Sequence, residues 1–334
     1  MRVTLNLRKR FCTVAKLEIG NRVTDPVALD PEVRRVLVTG AGGKIGRAVV
    51  DALLLDGTAV TALSLSYDRP SRADRVFTGD AADAGLVAEA LHDVDAVAHL
   101  AAIPHPSLSE PYPGFRSNVS ATFNVLSQSS QRGVRRAVLA SSINAFGVPM
   151  NWEADAPAYF PIDESIPTDI GDWYSLSKRV DELSAAMITR SSGMPTAAIR
   201  FPHTDSRERL LQTARDVQGN PATVMREGWS YLDLRDAVEV VRRAVHTPFT
   251  GSHVLHVSAP DTLLARDSRE LLDAYAPGVP LRRAVSGTDP LVDASLAHGL
   301  IGFVPRHSIW DPDDDTVDAG RVDEPSRLTE TTTR

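Results

Sequence analysis

The sequence predicts an α/β protein built on a doubly wound parallel sheet, followed by a smaller, discontinuous lobe. Two observations carry that prediction. Apolar, β-rich runs alternate with helical patterns between about residues 35 and 200, and the first run, V-L-V at Val36 to Val38, breaks into a glycine turn that opens an amphipathic segment. A third observation agrees with them: the polar residues of interest gather where these runs end, the edge at which open parallel sheets bind ligands.

Composition narrows the class. A chain of 334 residues, 43% hydrophobic and 24% charged, buries a substantial core as one large domain or two intimate ones. No apolar run approaches the roughly 20 residues of a membrane span, and the N-terminus lacks the apolar core of a secretory signal, so a cytoplasmic location without membrane contact is expected. A single cysteine, Cys12, rules out an internal disulfide framework and argues against a cysteine-based metal site. A net charge of -7 argues against general nucleic-acid binding.

Taken in order, residues 1–34 carry a basic cluster, Arg8, Lys9 and Arg10, without sustained periodicity. They read as an appendage: a mobile arm, an oligomer contact, or residue from an upstream start codon. The glycine turn follows the first strand. In V-L-V-T-G-A-G-G-K-I-G, Gly40, Gly43 and Gly46 suit a tight turn, close approach to a pyrophosphate and close helix-to-strand packing, with the first amides of the next helix holding the anion. An ordinary strand-to-helix turn is the plainer reading of the same triplet. Ile45, Val49, Leu53 and Leu54 keep helical spacing, and Gly57 supplies the stop. Further strands are expected at Ala59 to Leu65, Arg75 to Thr78, Ala96 to Leu100, Ala137 to Ala140 and Thr196 to Arg200. A sheet domain over 35–200 therefore precedes a lobe over 201–310, with the run near 254–258 returning to the sheet. In the lobe region and its approach, Trp173, His203, Trp229 and Tyr231 are read as packing residues or substrate contacts, packing being the commoner role. The polar stretch 311–334 is expected to be a disordered tail.

Chemistry concentrates at Y-S-L-S-K. Four-residue spacing in a helix puts Tyr174 and Lys178 on one face, one turn apart. A phenol alone is a poor acid or base at neutral pH, and a neighbouring ammonium favours its anionic form. With six tyrosines and four lysines in the chain, about 0.07 such pairs arise by chance. Ser142 ends an apolar strand, A-V-L-A-S-S, where its hydroxyl can donate to a substrate oxygen; a plain strand-ending serine is the alternative. Asn118 lies in a helical pattern with Val119, Thr122 and Val125, placed to fix a water or a backbone group. No metal site is predicted, since His253 and His256, and His298 and His307, lack the paired helical spacing with acidic ligands of zinc enzymes. Neither a G-x-S-x-G nucleophile turn nor a G-x-x-x-x-G-K-[ST] loop is present, Lys44 being followed by Ile45.

Together T-G-A-G-G-K-I-G, H-L-A-A at His99 to Ala102, S-S-I-N-A-F-G at Ser141 to Gly147 and Y-S-L-S-K resemble the extended short-chain dehydrogenase/reductase family, often labelled NAD-dependent epimerase/dehydratase. The likeness runs from about Val36 to Trp310 and takes in Gly79-Asp80 and Y-L-D-L-R-D at Tyr231 to Asp236. It implies a Rossmann-type fold with a C-terminal substrate lobe. It also implies Tyr174 as acid/base, Lys178 beside it and on the nicotinamide ribose, Ser142 positioning the substrate, Asn118 as a fourth catalytic residue, and Asp80 at the adenine. By the same likeness Gly40, Gly43, Lys44, Ile45, Gly46, Ser64, Arg69, Asp80, Ala81, Leu100, Ala101, Ala102, Asn118, Tyr174, Lys178 and Phe201 contact the cofactor. Ile103, Asn144, Ala145 and His203 contact the substrate. The compact lobe and the ending L-I-G-F-V-P-R-H-S are similar to uronate dehydrogenases, although Ile143 and Phe201-Pro202-His203 depart from their pattern. A homodimer through the helices beginning near Tyr112 and Trp173 is implied as well.

The expected activity is therefore NAD(P)-dependent oxidoreduction at a carbinol or carbonyl carbon of a sugar-like or secondary-metabolite substrate. A nucleotide-sugar epimerase is the alternative, and a non-catalytic dinucleotide sensor a second one. Dehydration ranks lower, because the aspartate-glutamate pair expected after the serine is Ile143-Asn144 here. Ser64 stands where NAD-binding members carry a carboxylate for the ribose, and Arg69 and Arg72 follow, so the cofactor leans to NADP, with Asp68 as the competing ribose partner.

Overall fold

The structure, a computed structural model, describes residues 29–312. The expected tail beyond Pro312 and most of the expected N-terminal appendage lie outside the described residues. Arg35–Thr39 forms β1, and Lys44–Leu55 forms α1. There follow β2 (Ala59–Ser64), β3 (Arg75–Thr78), α2 (Ala84–Ala90) and β4 (Ala96–His99). The long helix α3 (Pro111–Gln131) leads to β5 (Arg136–Ser142), and α4 (Trp173–Ser192) leads to β6 (Thr196–Phe201).

These strands and a later one, β9 (Ser252–His256), form a seven-stranded sheet in the order β3-β2-β1-β4-β5-β6-β9, every pairing parallel. From β1 the chain works outward to β3 and then returns to place β4 on the other side of β1. Val36 accordingly pairs with Val60 on one side and Ala96 on the other. That reversal opens a crevice at the carboxyl ends of β1 and β4.

Side-chain alternation splits the core. Val36 and Val38 face one layer with Val49 and Leu53 of α1, while Leu37 faces the other with Val125 and Leu126 of α3 and Ile188 of α4. Strands covered on both faces read as continuous apolar runs, which is why β4 and β6 are buried along their whole length. The edge strand β3 instead alternates half-buried and exposed residues.

After β6 come β7 (His203–Asp205), α5 (Arg207–Gln218), β8 (Tyr231–Asp233) and α6 (Leu234–His246). The strand β9 (Ser252–His256) rejoins the main sheet beside β6, and α7 (Ser268–Tyr275) and α8 (Ser295–Ile301) complete the order. Strands β7 and β8 pair parallel as a separate two-stranded sheet, which the sequence pattern did not foretell. A second core fills the lobe, with Ile143, Phe146, Phe160, Trp229, Leu271 and Leu291 among its members. Bridges from Phe160 to Leu281 and from Ile162 to Val292 tie the 160s to the chain's last third. Trp229 and Tyr231 are fully buried here, and Trp173 packs on Gly114 of α3, so these three are packing residues.

Candidate active site

The glycine turn builds the floor of the crevice. Gly40 sits at φ +66, and a Cβ on it would come within 2.7 Å of the Ala101 amide nitrogen. A Cβ on Gly46 would lie 2.2 Å from the Gly40 carbonyl oxygen, so only glycine lets the first turn of α1 approach β1 this closely. Gly43 caps α1 without any side-chain hydrogen bond, unlike Asp83, Asp172, Asp233 and Asp267 on other helices. The first amides of α1 have no intrahelical partner and line the cavity, a cradle that suits an anion. Lys44 at that turn pairs with Asp205 of β7. Burial raises the Asp205 carboxyl, but the bond from Lys44 outweighs it and holds the group below its usual range.

Helix α4 carries Tyr174 and Lys178, expected from the sequence as a reactive pair. Asp172 caps it, its Oδ1 accepting from the amides of Tyr174 at 2.8 Å and Ser175 at 2.9 Å. That fixes the first turn, from which Tyr174 lines a cavity of about 630 Å³ together with Lys178, Ser142 and Asn144. Lys178 is buried, donates from Nζ to the Ala140 carbonyl at 2.9 Å and lies 3.5 Å from the Asp181 carboxylate. Burial pushes Asp181 up to about 6, against the pull of Lys178. Beneath them His99 is linked to Thr39 at 2.7 Å and to Thr122 at 3.1 Å. Burial, reinforced by Lys178, drops its imidazole to about 3, so it stays neutral.

One turn further along α4, Glu182 meets Arg200 of β6 through two contacts, Oε1 to Nε at 2.7 Å and Oε2 to Nη2 at 2.9 Å. Ser141 Oγ also donates to Glu182 at 2.7 Å. Burial raises this carboxyl, yet the bonds from Arg200, Ser141 and Arg179 outweigh it and hold Glu182 low. The pair ties α4 to β6. Ser142 Oγ accepts from the Asn144 amide at 3.2 Å, leaving its hydroxyl proton free to point into the cavity.

Asn118 acts on the loop after β4. Its Oδ1 accepts from the Ile103 amide at 2.8 Å, and its Nδ2 donates to the Ile103 carbonyl at 3.2 Å and to Ser177 Oγ at 3.1 Å. This clamp holds Ile103 in a smaller hollow of about 200 Å³ rather than in the main cavity. Ile103, expected at the substrate, therefore belongs to the neighbouring compartment. Ala145, expected there too, is fully buried in a short 3-10 turn that encloses all four of its residues, and it lines neither space.

The smaller hollow is lined by Ser64, Asp80, Ala81, Ala101, Asn118 and others, and shares Gly40, Gly43, Leu100 and Ala102 with the larger one. Arg69 is exposed and lines neither space. Asp68 lies 3.5 Å from Arg47, and Arg72 3.7 Å from Asp51. The main cavity continues past Lys44, Ile45 and Phe201 to His203. Burial lowers the His203 imidazole and keeps it neutral. Met150, Thr213, Val224, Glu227 and Leu263 also line the cavity and were not foreseen, because they come from separate short turns, from α5 and from a loop that only the tertiary fold brings together. Gly42 was also missed: a Cβ there would lie 2.1 Å from the Ser66 carbonyl oxygen. Two joined compartments, a glycine cradle with open amides between them and a buried ammonium beyond fit an extended dinucleotide.

The model of the NAD dependent epimerase/dehydratase family matches residues 36–257. A UDP-glucose 4-epimerase of Lactobacillus helveticus is 28% identical over 315 residues, 82% of this chain and 92% of that protein. A uronate dehydrogenase of Pseudomonas syringae pv. tomato is 25% identical over 73% of this chain and 81% of its own length. Among solved structures, a short-chain dehydrogenase/reductase superfamily protein from Agrobacterium tumefaciens with bound NAD superposes with a TM-score of 0.63 at 24% identity, covering 82% of this chain and 93% of that one.

Proposed function

The chain belongs to the NAD-dependent epimerase/dehydratase family, and from that premise we propose that it is an oxidoreductase acting at a carbinol or carbonyl carbon of a sugar-like substrate. The observation that carries this reading is one cavity lined at once by the glycine turn, Ser142, Tyr174 and Lys178. When bound, the dinucleotide accepts or donates the hydride. Gly40, Gly43, Lys44, Ile45 and Gly46 hold its pyrophosphate, and Ser64, Asp80 and Ala81 flank its adenosine. Tyr174, Lys178 and Phe201 flank its nicotinamide end. Tyr174 removes the carbinol proton in oxidation and returns it in reduction, the Lys178 ammonium favouring the phenolate. Ser142 donates to the substrate oxygen and holds it at the tyrosine. Asn118 keeps the Ile103 loop in place.

The test is spectrophotometric. Purified protein with NAD or NADP and a panel of carbinols should form reduced nicotinamide, and a protein that binds dinucleotide yet turns over none of the panel would refute oxidoreduction. The likeness to a UDP-glucose 4-epimerase over 82% of the chain favours epimerisation as the second reading. A cofactor that copurifies and resists exchange would support it.

Preference for NADP is part of the proposal. Ser64 ends β2 without a carboxylate, Asp68 is engaged by Arg47, and Arg69 has no ion-pair partner among the described residues. Titration with NADPH and NADH at one ionic strength decides it, tighter NADH binding being the refuting result. We also propose a homodimer, since α3 and α4 expose Tyr112, Phe123, Leu176, Leu183 and Met187. No helix among the described residues is long and apolar enough to cross a membrane, and action in the cytoplasm is the corresponding proposal.

A further inference from the structure

The far wall of the main cavity carries one carboxylate whose environment sets it apart. Glu227 lines the cavity, and no hydrogen bond or ion pair reaches its side chain among the described residues. Its backbone is held firmly. The Glu227 carbonyl accepts from Ser230 Oγ at 2.7 Å, and the next two residues, Gly228 and Trp229, take positive φ of 67 and 48. A tryptophan tolerates that conformation only where packing over-determines it. Here the ring is fully buried and its Nε1 donates to the Pro221 carbonyl at 2.8 Å. The carboxylate is enclosed by protein and keeps access to solvent through the cavity, and burial alone raises it to about 7.

No positive charge on the cavity wall is placed to answer it. Among the described residues no arginine lines the cavity. Its two amines are both engaged away from that wall, Lys44 on Asp205 at the glycine turn and Lys178 on the Ala140 carbonyl and Asp181. His203 is kept neutral by burial. Among the other residues that line the cavity, Met150, Val224, Leu263, Thr213 and Asn144 carry no charge, and burial is the one influence that moves the Glu227 carboxyl. A buried acceptor in such a place rewards a ligand that donates a hydrogen bond or carries an ammonium, and penalises one that brings a second anion.

We propose that Glu227 is a specificity-determining residue that selects a neutral or amino-bearing sugar-like carbinol, its hydroxyl or ammonium donating to the carboxylate, and that excludes uronates and phosphate-bearing sugars. The proposal deepens the oxidoreductase reading and rests on it. It also separates this chain from the acid-oxidising and nucleotide-sugar relatives it resembles, because their substrates, as named, are anionic.

The experiment uses the full chain loaded with dinucleotide and three matched sugars: glucose, glucosamine and glucuronate. Dinucleotide binding is titrated first, and its failure would sink the oxidoreductase reading rather than this one. Each sugar is then titrated by calorimetry and assayed for nicotinamide reduction. Glucose or glucosamine should be favoured over glucuronate by at least about tenfold, a difference of about 1.4 kcal/mol. In Glu227→Gln the advantage of glucosamine over glucuronate should shrink at least tenfold while dinucleotide affinity stays the same. Glucuronate binding as tight as the other two in the unmodified protein would overturn the proposal. So would an unchanged preference in the glutamine variant, or a failure of both glucose and glucosamine to bind at millimolar concentration. If the variant does not fold, the comparison within the unmodified protein still decides.

Discussion

Replacing Glu182 with glutamine should destabilise the protein far more than its one-atom change suggests. Both partners of the Glu182–Arg200 contact are almost fully buried, with side-chain exposures of 1% and 2%. The variant keeps shape and volume but leaves the Arg200 guanidinium charged and uncompensated between β6 and α4. Removing one member of a buried pair costs about 3–5 kcal/mol. Urea unfolding followed by the fluorescence of the tryptophans, Trp229 being fully buried, should show a midpoint lowered by about 1 M or more, taking a slope of about 3 kcal/mol/M. The pH dependence has a definite sign. Glu182 titrates below its usual range when folded, so its contribution is complete above the unfolded value of 4.5 and is lost as pH falls through the folded one. The gap between wild type and variant should therefore narrow in acid. Adding Arg200→Met should recover part of the loss, since the double variant no longer buries an unpaired guanidinium. A loss below about 1 kcal/mol at neutral pH would refute the view that this contact locks α4 to the sheet.

Three further outcomes are expected. Tyr174→Phe should lower kcat by at least about a hundredfold with dinucleotide affinity retained, whereas Lys178→Met should harm both, as read by steady-state kinetics and NAD(P)H fluorescence titration. Gly46→Ala should weaken dinucleotide binding severely, because the new methyl falls 2.2 Å from a backbone oxygen that no rotamer can move, and circular dichroism should show the fold retained. Asp181→Asn should stabilise relative to wild type progressively as pH rises from 4 to about 6 and not further, since over that window the unfolded carboxyl has ionised above 3.8 while the folded one, raised to about 6 by burial, still holds its proton. A flat difference across that window would show that Asp181 titrates normally.

Much of the framework was legible because it obeys periodic rules. The expected strands at Ala59 to Leu65 and Arg75 to Thr78 match β2 and β3 within a residue, and the fifth strand runs two residues beyond its expected end, to Ser142. Strands buried on both faces leave long apolar runs, and helices over a sheet leave a regular stripe, so local composition reports global position. Gly40 and Gly46 were legible because backbone proximity admits only glycine there, whereas Gly42, constrained in the same way, was not. Ile103 was misplaced by one compartment, since which side of a loop faces which cavity depends on a clamp from Asn118, a residue 15 positions away.

The substrate wall was not legible, and the reason is physical rather than statistical. Glu227 matters because of what is missing around it, and a missing cation leaves no mark on the sequence near a carboxylate. Arg226 stands next to it in the chain, where a reader of the sequence would pair the two, yet its guanidinium donates instead to the Asn151 carbonyl at 2.7 Å. Likewise the pairing of Lys44 with Asp205 of β7 spans 161 positions and leaves no local mark in the sequence. Tyr174 and Lys178 share the cavity because their own helix places them one turn apart. The cavity charges Lys44 and Glu227 differ in what the tertiary fold brings to them, Asp205 to the one and no partner among the described residues to the other, and no local pattern encodes that difference.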